Sequence, residues 1–364
     1  MNNQEHFTNK NYICYDGFSN LEINTEGDIL PCCPDWHNHY KFGNIYQQNF
    51  ESIINSNAAK AFRKSLLDGS YKYCNRNICM SSSVKKEKYF EKCNELGEST
   101  GSIDIIRFAH DRTCNIKCIT CRNDYIDTSD NIKKLNSVID SHFIPMLKGT
   151  KIVHLNTNGE VFASSHCKKL ISKIIENYPN IKFDITSNGI LFNEENCKKL
   201  KLEKRINNVG ISIPAATNKT YNKITGSTDK KNYLQLHKNL KYLIELKKKK
   251  EINELSLIFV VNYYNYKEMI KFAKTPIIRK NNIRIYFWEY RPWSSSNLSK
   301  EYDKMAVWEE KNKHYKEFCK IINNRIFKSE NILLPEIFQK LRKEYNRNKI
   351  LYKLINKIKQ RIYK

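Results

Sequence analysis

The stretch IDIIRFAHDRTCNIKCITC, residues 103–121, joins an apolar, β-branched run at Ile103–Phe108 to three cysteines. Cys114, Cys118 and Cys121 stand at C-x3-C-x2-C spacing. The run reads as a buried strand and the cysteines as the loop that follows it. Structural zinc and closed cluster sites usually recruit four protein ligands, so three thiols on one short loop suggest an iron–sulfur site with one iron left open.

Outward from this stretch, short β-branched runs alternate with longer helical stretches, the pattern of parallel β/α units. Six strands are expected: 103–109, 151–156, 181–186, 208–213, 255–261 and 283–288. Helices are expected at about 129–147, 163–178, 194–204, 231–250 and 266–273. Six units are too few for a closed eight-fold barrel. The expected fold is therefore α/β, a partial (β/α)6 TIM-like barrel open at its side, with its site on the loops after the strands. The cysteine loop obeys that rule.

The whole chain has 364 residues, 12 Cys and a formal charge of +25. Its 22 Tyr and 17 Phe favour a packed protein over disorder. The N-terminal residues lack an apolar signal region and the longest apolar strand-like run, Leu255–Val261, is far short of a span, so a cytoplasmic location is expected. Twelve cysteines there argue for metal over disulfides. Cys167, Cys197 and Cys319 are scattered and read as small buried apolar residues.

The charge could mark a nucleic-acid partner, but Lys, Asn and Ile are abundant from end to end, so a general compositional bias explains it better. The segment Asn331–Lys364 carries ten Lys and Arg against two Glu, with Ile350, Leu351, Leu354, Ile355, Ile358 and Ile362 on one helical stripe. Such a basic helix docks on the body of the protein or meets a membrane surface peripherally. Three regions follow: a Cys-rich residues 1–100, with one helix at about 50–67; the barrel, 101–295; and a basic, helical C-terminal extension, 296–364.

These features resemble the radical S-adenosylmethionine (radical SAM) superfamily. Asn158-Gly159-Glu160, after the second strand, looks like that family's Gly-Gly-Glu segment, and Thr186-Ser187-Asn188-Gly189 like its Thr-Asn-Gly turn. Ser212 and Asn262, at the ends of the fourth and fifth strands, are similar to its polar strand ends. The segment beginning at Tyr221, YNKITGSTDKKNYLQLHKNLKYLIELKKK, resembles peptide-modifying members. The resemblance implies a [4Fe–4S] cluster on Cys114, Cys118 and Cys121, with S-adenosylmethionine held by Gly159, Glu160, Ser187, Asn188, Ser212 and Asn262. It also implies an electron donor such as flavodoxin or ferredoxin, and hydrogen abstraction from a peptide or protein side chain. A sugar or cell-surface glycan precursor is the alternative substrate.

Residues 1–100 carry a second signal. Cys14, Gly27 and Cys32 stand at C-x12-G-x4-C spacing, followed by Cys74 and Cys79. This is similar to the SPASM or shorter twitch domain of many radical SAM enzymes, which implies a second, auxiliary [4Fe–4S] cluster on Cys14, Cys32, Cys74 and Cys79. Cys33 is the alternative to Cys32, since adjacent side chains usually point apart. Four thiolates also suit zinc, which leaves open a non-catalytic zinc protein that binds nucleic acid.

Arg107, His110 and Arg122 flank the cysteine loop, where each could position substrate or tune a cluster. Glu289, Arg291 and Trp293, in FWEYRPW after the sixth strand, lie at the expected barrel mouth. The plainer readings are solvated Arg and His, and an aromatic cap for the Trp.

Overall fold

The computed structural model describes residues 11–33, 40–76, 79, 83–85, 92–99, 101–127, 132–155, 158–227, 229, 231–291 and 301–347. Trp293 and the stripe from Ile350 to Ile362 lie outside the described residues.

Twelve strands are present among the described residues. Five come before the barrel's first strand: β1 (Tyr12–Cys14), β2 (Asn20–Ile23), β3 (Asp28–Leu30), β4 (Gly43–Asn44) and β5 (Ser83–Lys85). Six match the β/α units within two residues: β6 (Ile105–Phe108), β7 (Ile152–Leu155), β8 (Lys182–Ser187), β9 (Ile206–Ser212), β10 (Glu254–Val261) and β11 (Arg284–Glu289). The last is β12 (Ile332–Leu333). One ten-stranded sheet runs β12-β11-β10-β9-β8-β7-β6-β2-β3-β4, while β1 and β5 pair separately and antiparallel.

The parallel part of the sheet exceeds the six units. β2 joins β6 in parallel, with Leu21 opposite Ile106, and β12 joins β11 in parallel. The sheet therefore runs unbroken from the Cys-rich region into the barrel. Among the described residues no pairing joins β12 to the opposite edge, so the barrel is open.

Strand alternation explains the layering. On β6, Ile106 and Phe108 are fully buried while Ile105 and Arg107 are half-buried. Val153 and Leu155 on β7, and Phe183 and Ile185 on β8, repeat the pattern. The buried set faces the helices: Phe108 meets Phe143 edge-on at 5.4 Å, and Leu170, Ile171 and Ile174 of the helix Ser165–Asn177 join the same core. Each such side chain contributes about 1.5–3 kcal/mol by leaving water. The half-buried set faces the lumen.

Two expected helices are broken. The stretch expected at 50–67 is Phe50–Ile54 and Asn57–Leu67, because Ser56 caps the second by accepting from Ala59 N at 3.1 Å and Asn55 Oδ1 accepts Ser99 N at 2.9 Å. The stretch expected at 129–147 is a helix at Ile132–Ser137, a π-helical turn at Ile139–Phe143 and a short turn at Ile144–Met146. Pro145 has no N–H to continue an α-helical ladder there. No helix among the described residues is long and apolar enough to cross a membrane.

Candidate iron–sulfur and cofactor sites

The cysteine loop is built from both sides. Asp111, fully buried, accepts Thr113 N and Thr113 Oγ1 at 2.9 and 2.8 Å and the Ser164 hydroxyl, which fixes the turn leaving β6. Beyond it, Cys114 N donates to Ile126 O (2.8 Å), Lys117 N to Thr225 O (3.1 Å) and Ile119 N to Ile224 O (2.8 Å). The loop thus hangs on the C-terminal carbonyls of the helix Asn218–Thr225. Gly226 ends that helix at φ +61°, and a Cβ there would stand 2.8 Å from Lys117 Cγ.

Arg122, buried, ties the loop to the turn after β7. Its Nη1 donates to Arg112 O (2.5 Å) and its Nη2 to Asn158 O (2.8 Å), with Cys121 Sγ 3.5 Å from Nη2. Burial pushes the Cys114 thiol up to about 11, and Glu160 adds to the rise while Arg122 opposes it. Burial and the two neighbouring thiols, Cys114 and Cys121, raise Cys118 further. Cys114 and Cys118 resist ionising here unless a cationic group compensates them, which fits an iron–sulfur ligand pair on this loop.

Opposite the thiols, Glu160, Ser187 and Asn188 form one unit. The Glu160 carboxylate accepts Ser187 Oγ at 2.9 and 3.0 Å, Asn188 N at 2.7 Å and Phe162 N at 3.3 Å, and its own N donates to Thr113 O at 2.7 Å. Burial raises its pKa to about 7 against these hydrogen bonds. Asn188 Nδ2 donates to Asn115 Oδ1 at 2.8 Å and lies 3.9 Å from Cys114 Sγ. Gly189 turns the chain at φ +77°, where a Cβ would meet Leu236 Cδ1 at 2.4 Å.

The other expected residues are placed differently. Ser212 ends β9, half-buried, next to Ile258 in register. Asn262 is fully buried in its own turn, its Oδ1 accepting Tyr264 N (2.8 Å) and its Nδ2 donating to Val260 O (3.2 Å). His110 points away from the thiols: its Nε2 meets His166 Nε2 at 2.6 Å among Phe108 and Phe143. Burial and the second imidazole lower His110 to about 3. Arg291 donates twice to Glu289 Oε1, at 3.0 and 2.8 Å, so these two engage each other. Arg107 faces the lumen.

Sequence reading missed Tyr221. It is buried on the helix that carries the loop, its hydroxyl has no hydrogen-bond partner, and burial followed by Cys118, Glu160 and Cys114 raises it. Its position in the Tyr221–Gly226 string was the available signal, but only the helix register points the ring toward the thiols.

In the Cys-rich region, burial raises Cys32 most, followed by Asp16, Cys14, Cys79 and Cys74. Burial and Cys79 lift Cys74 to about 12. Cys14, Cys74 and Cys79 thus lie within electrostatic reach of Cys32, with buried Asp16 beside it. Among the described residues no three His, Cys, Asp or Glu side chains are drawn together tightly enough for a single metal ion.

No curated protein sequence matches the chain. Among solved structures, one described as His6-tagged anSMEcpe with bound AdoMet is 15% identical, with TM-score 0.41, over 63% of this chain and 62% of that one. Methylornithine synthase (PylB) is 12% identical with TM-score 0.36, over 64% of each chain. The FeFe-hydrogenase maturase HydG from Carboxydothermus hydrogenoformans is 15% identical with TM-score 0.36, over 65% of this chain and 55% of its own. This chain spans less than two thirds of the length of each. Residues 14–80 match the family model of SPASM, an iron–sulfur cluster-binding domain, and include Cys14, Cys32, Cys74 and Cys79. Residues 14–80 of this chain are thus similar to the SPASM iron–sulfur cluster-binding domain, and they precede an open α/β barrel.

Proposed function

We propose that this chain is a radical SAM enzyme that abstracts hydrogen from a peptide or protein side chain. The observation that carries the reading is the set of three buried or half-buried thiols, Cys114, Cys118 and Cys121, facing the Glu160–Ser187–Asn188 unit across the C-terminal ends of the strands. When bound, a [4Fe–4S] cluster with S-adenosylmethionine on its open iron would supply an electron to the sulfonium and yield a 5′-deoxyadenosyl radical and methionine.

This chain's residues hold and shield that chemistry. Cys114, Cys118 and Cys121 are the cluster ligands. Glu160, oriented by Ser187 and Asn188, offers a carboxylate to the cofactor amine, and Gly159 lets the backbone approach. Ser212 edges the same rim. Cys14, Cys32, Cys74 and Cys79 hold the auxiliary cluster, which relays an electron or helps seat substrate. An electron donor such as flavodoxin or ferredoxin serves the first cluster.

The open side of the sheet supports a large substrate, since an extended peptide can enter where no strand pairing closes the barrel. The test is anaerobic reconstitution with iron and sulfide, reduction with dithionite and chromatography for 5′-deoxyadenosine. Its formation supports the reading; S-adenosylmethionine binding without any 5′-deoxyadenosine counts against it.

A further inference from the structure

Register places a polar row across the lumen face of the sheet. Glu22 on β2 lies beside Arg107 on β6, Arg107 beside His154 on β7, and His154 beside Asp184 on β8. Their strand neighbours Ile106, Phe108, Val153, Leu155, Phe183 and Ile185 point to the opposite, helix-covered face. Charged groups inside a barrel are costly unless something uses them.

Most of this row is accounted for. Asp184 Oδ1 accepts Asn207 Nδ2 at 2.8 Å and Asn208 N at 3.0 Å, and His154 Nε2 meets Thr186 Oγ1 at 3.1 Å. Arg107 is the exception: its Nη1 is buried with no hydrogen-bond partner. The guanidinium also acts at a distance, opposing the rise of Asp184 and adding to the burial that lowers His154 to about 3. The imidazole beside it is neutral, and Glu22 on β2 and Asp184 two strands away are the carboxylates nearest to it in register. A buried guanidinium donor left open in a lumen suits a planar or tetrahedral anion, which it engages through paired N–H groups.

We propose that Arg107 is the anchor of a substrate-binding floor in the barrel, taking a carboxylate or phosphate group of the substrate. The inference rests on the enzymatic reading above for what the anchored molecule undergoes. Arg107 lies on the strand that leads into the cysteine loop, and Asp184 lies three residues below Ser187. At a rise of about 3.3 Å per residue, the anion sits roughly 10 Å beneath the cofactor rim. An anchored substrate therefore reaches up the lumen past Thr186, and the anion sets how far its reactive carbon stands from the rim. Arg107 is in this sense a specificity-determining residue, remote from the bond that breaks.

The test uses the full-length protein with both clusters reconstituted, titrated anaerobically with inorganic phosphate and, separately, with acetate, and read by calorimetry and melting temperature. Wild type is expected to bind at least one anion saturably. Arg107→Gln is expected to weaken it about tenfold, in line with loss of a charge-assisted pair, and Arg107→Lys to retain part of it. Exposed Arg279→Gln, as a control for bulk charge, should leave binding unchanged. Without anion, wild type and Arg107→Gln should both melt cooperatively, which shows that the variant is folded. Preference for phosphate assigns a phosphorylated substrate and preference for acetate a carboxylate; either supports the anchor. Absence of saturable binding in wild type, or equal binding in Arg107→Gln, would overturn it. None of these readouts needs turnover. A protein that binds anions through Arg107 but forms no 5′-deoxyadenosine would sink the enzymatic reading and spare the anchor.

Discussion

Leu21 of the SPASM-like region is paired in parallel with Ile106, one residue before Arg107 on the first barrel strand. The pairing makes one sheet of two regions that composition separates. Beside it, Asp104 accepts Tyr15 Oη (3.0 Å), Ser19 Oγ (2.5 Å), Lys92 Nζ (2.9 Å) and Lys151 Nζ (3.0 Å). Two donors come from before β2 and one from β7's approach, so a single carboxylate pins the junction.

Asp104→Ala is therefore expected to destabilise the protein by about 2–4 kcal/mol, since several partly buried donors lose their acceptor at once. Urea denaturation should show a lower midpoint, and limited proteolysis should release the N-terminal region early. A variant with the wild-type midpoint would mean that the junction is held by the β2–β6 ladder alone.

Cys32→Ala is expected to remove the auxiliary cluster and Cys33→Ala to leave it, because Cys14, Cys74 and Cys79 act on Cys32. Iron analysis should show a loss of about four irons only in the first, by the stoichiometry of a [4Fe–4S] centre.

Gly226→Ala strains a left-handed position at a cost of about 1 kcal/mol and pushes on Lys117, whose backbone the cysteine loop uses to hang on its helix. The expected result is a folded protein with less iron at the three-cysteine site and an intact auxiliary centre, read by Mössbauer spectroscopy after reconstitution.

The buried imidazole pair predicts acid lability. His110 and His166 are lowered to about 3 and about 4, chiefly by burial, from an ordinary 6.5. Their neutral forms belong to the fold, so the stability they contribute is present above pH 6.5 and is lost as pH falls toward 4. Each imidazole adds a slope of about 1.4 kcal/mol per pH unit in that window. Denaturation midpoints measured from pH 7 to 4.5 should fall steeply, and less so in His110→Phe/His166→Leu. Glu160 acts in the opposite sense: raised to about 7, it favours the fold below pH 4.5 and loses that contribution as pH rises to 7, a dependence that Glu160→Gln removes.

The six central strands and the cysteine loop were legible because long apolar runs and clustered thiols are local signals. β2 and β12 were not: four residues of Asn-Leu-Glu-Ile and two of Ile-Leu carry no periodicity, and only pairing with β6 and β11 makes them strands. The spacing of Cys14, Gly27 and Cys32 carried the likeness to SPASM that the match over residues 14–80 shows. His110 misled because its chain position beside the loop says nothing of side-chain direction, which strand geometry and His166, 56 residues away, determine. Asn262 misled likewise, as its turn consumes its amide. The turning of the Tyr221 ring toward the thiols is set by helix register, which its place in the Tyr221–Gly226 string does not reveal.

The central claim is most directly tested by iron and sulfide content after anaerobic purification, comparing wild type with Cys114→Ala/Cys118→Ala/Cys121→Ala. The account predicts about eight irons in wild type and about four in the variant, together with loss of 5′-deoxyadenosine formation. Equal iron in both proteins, or stoichiometric zinc in place of iron, would contradict it.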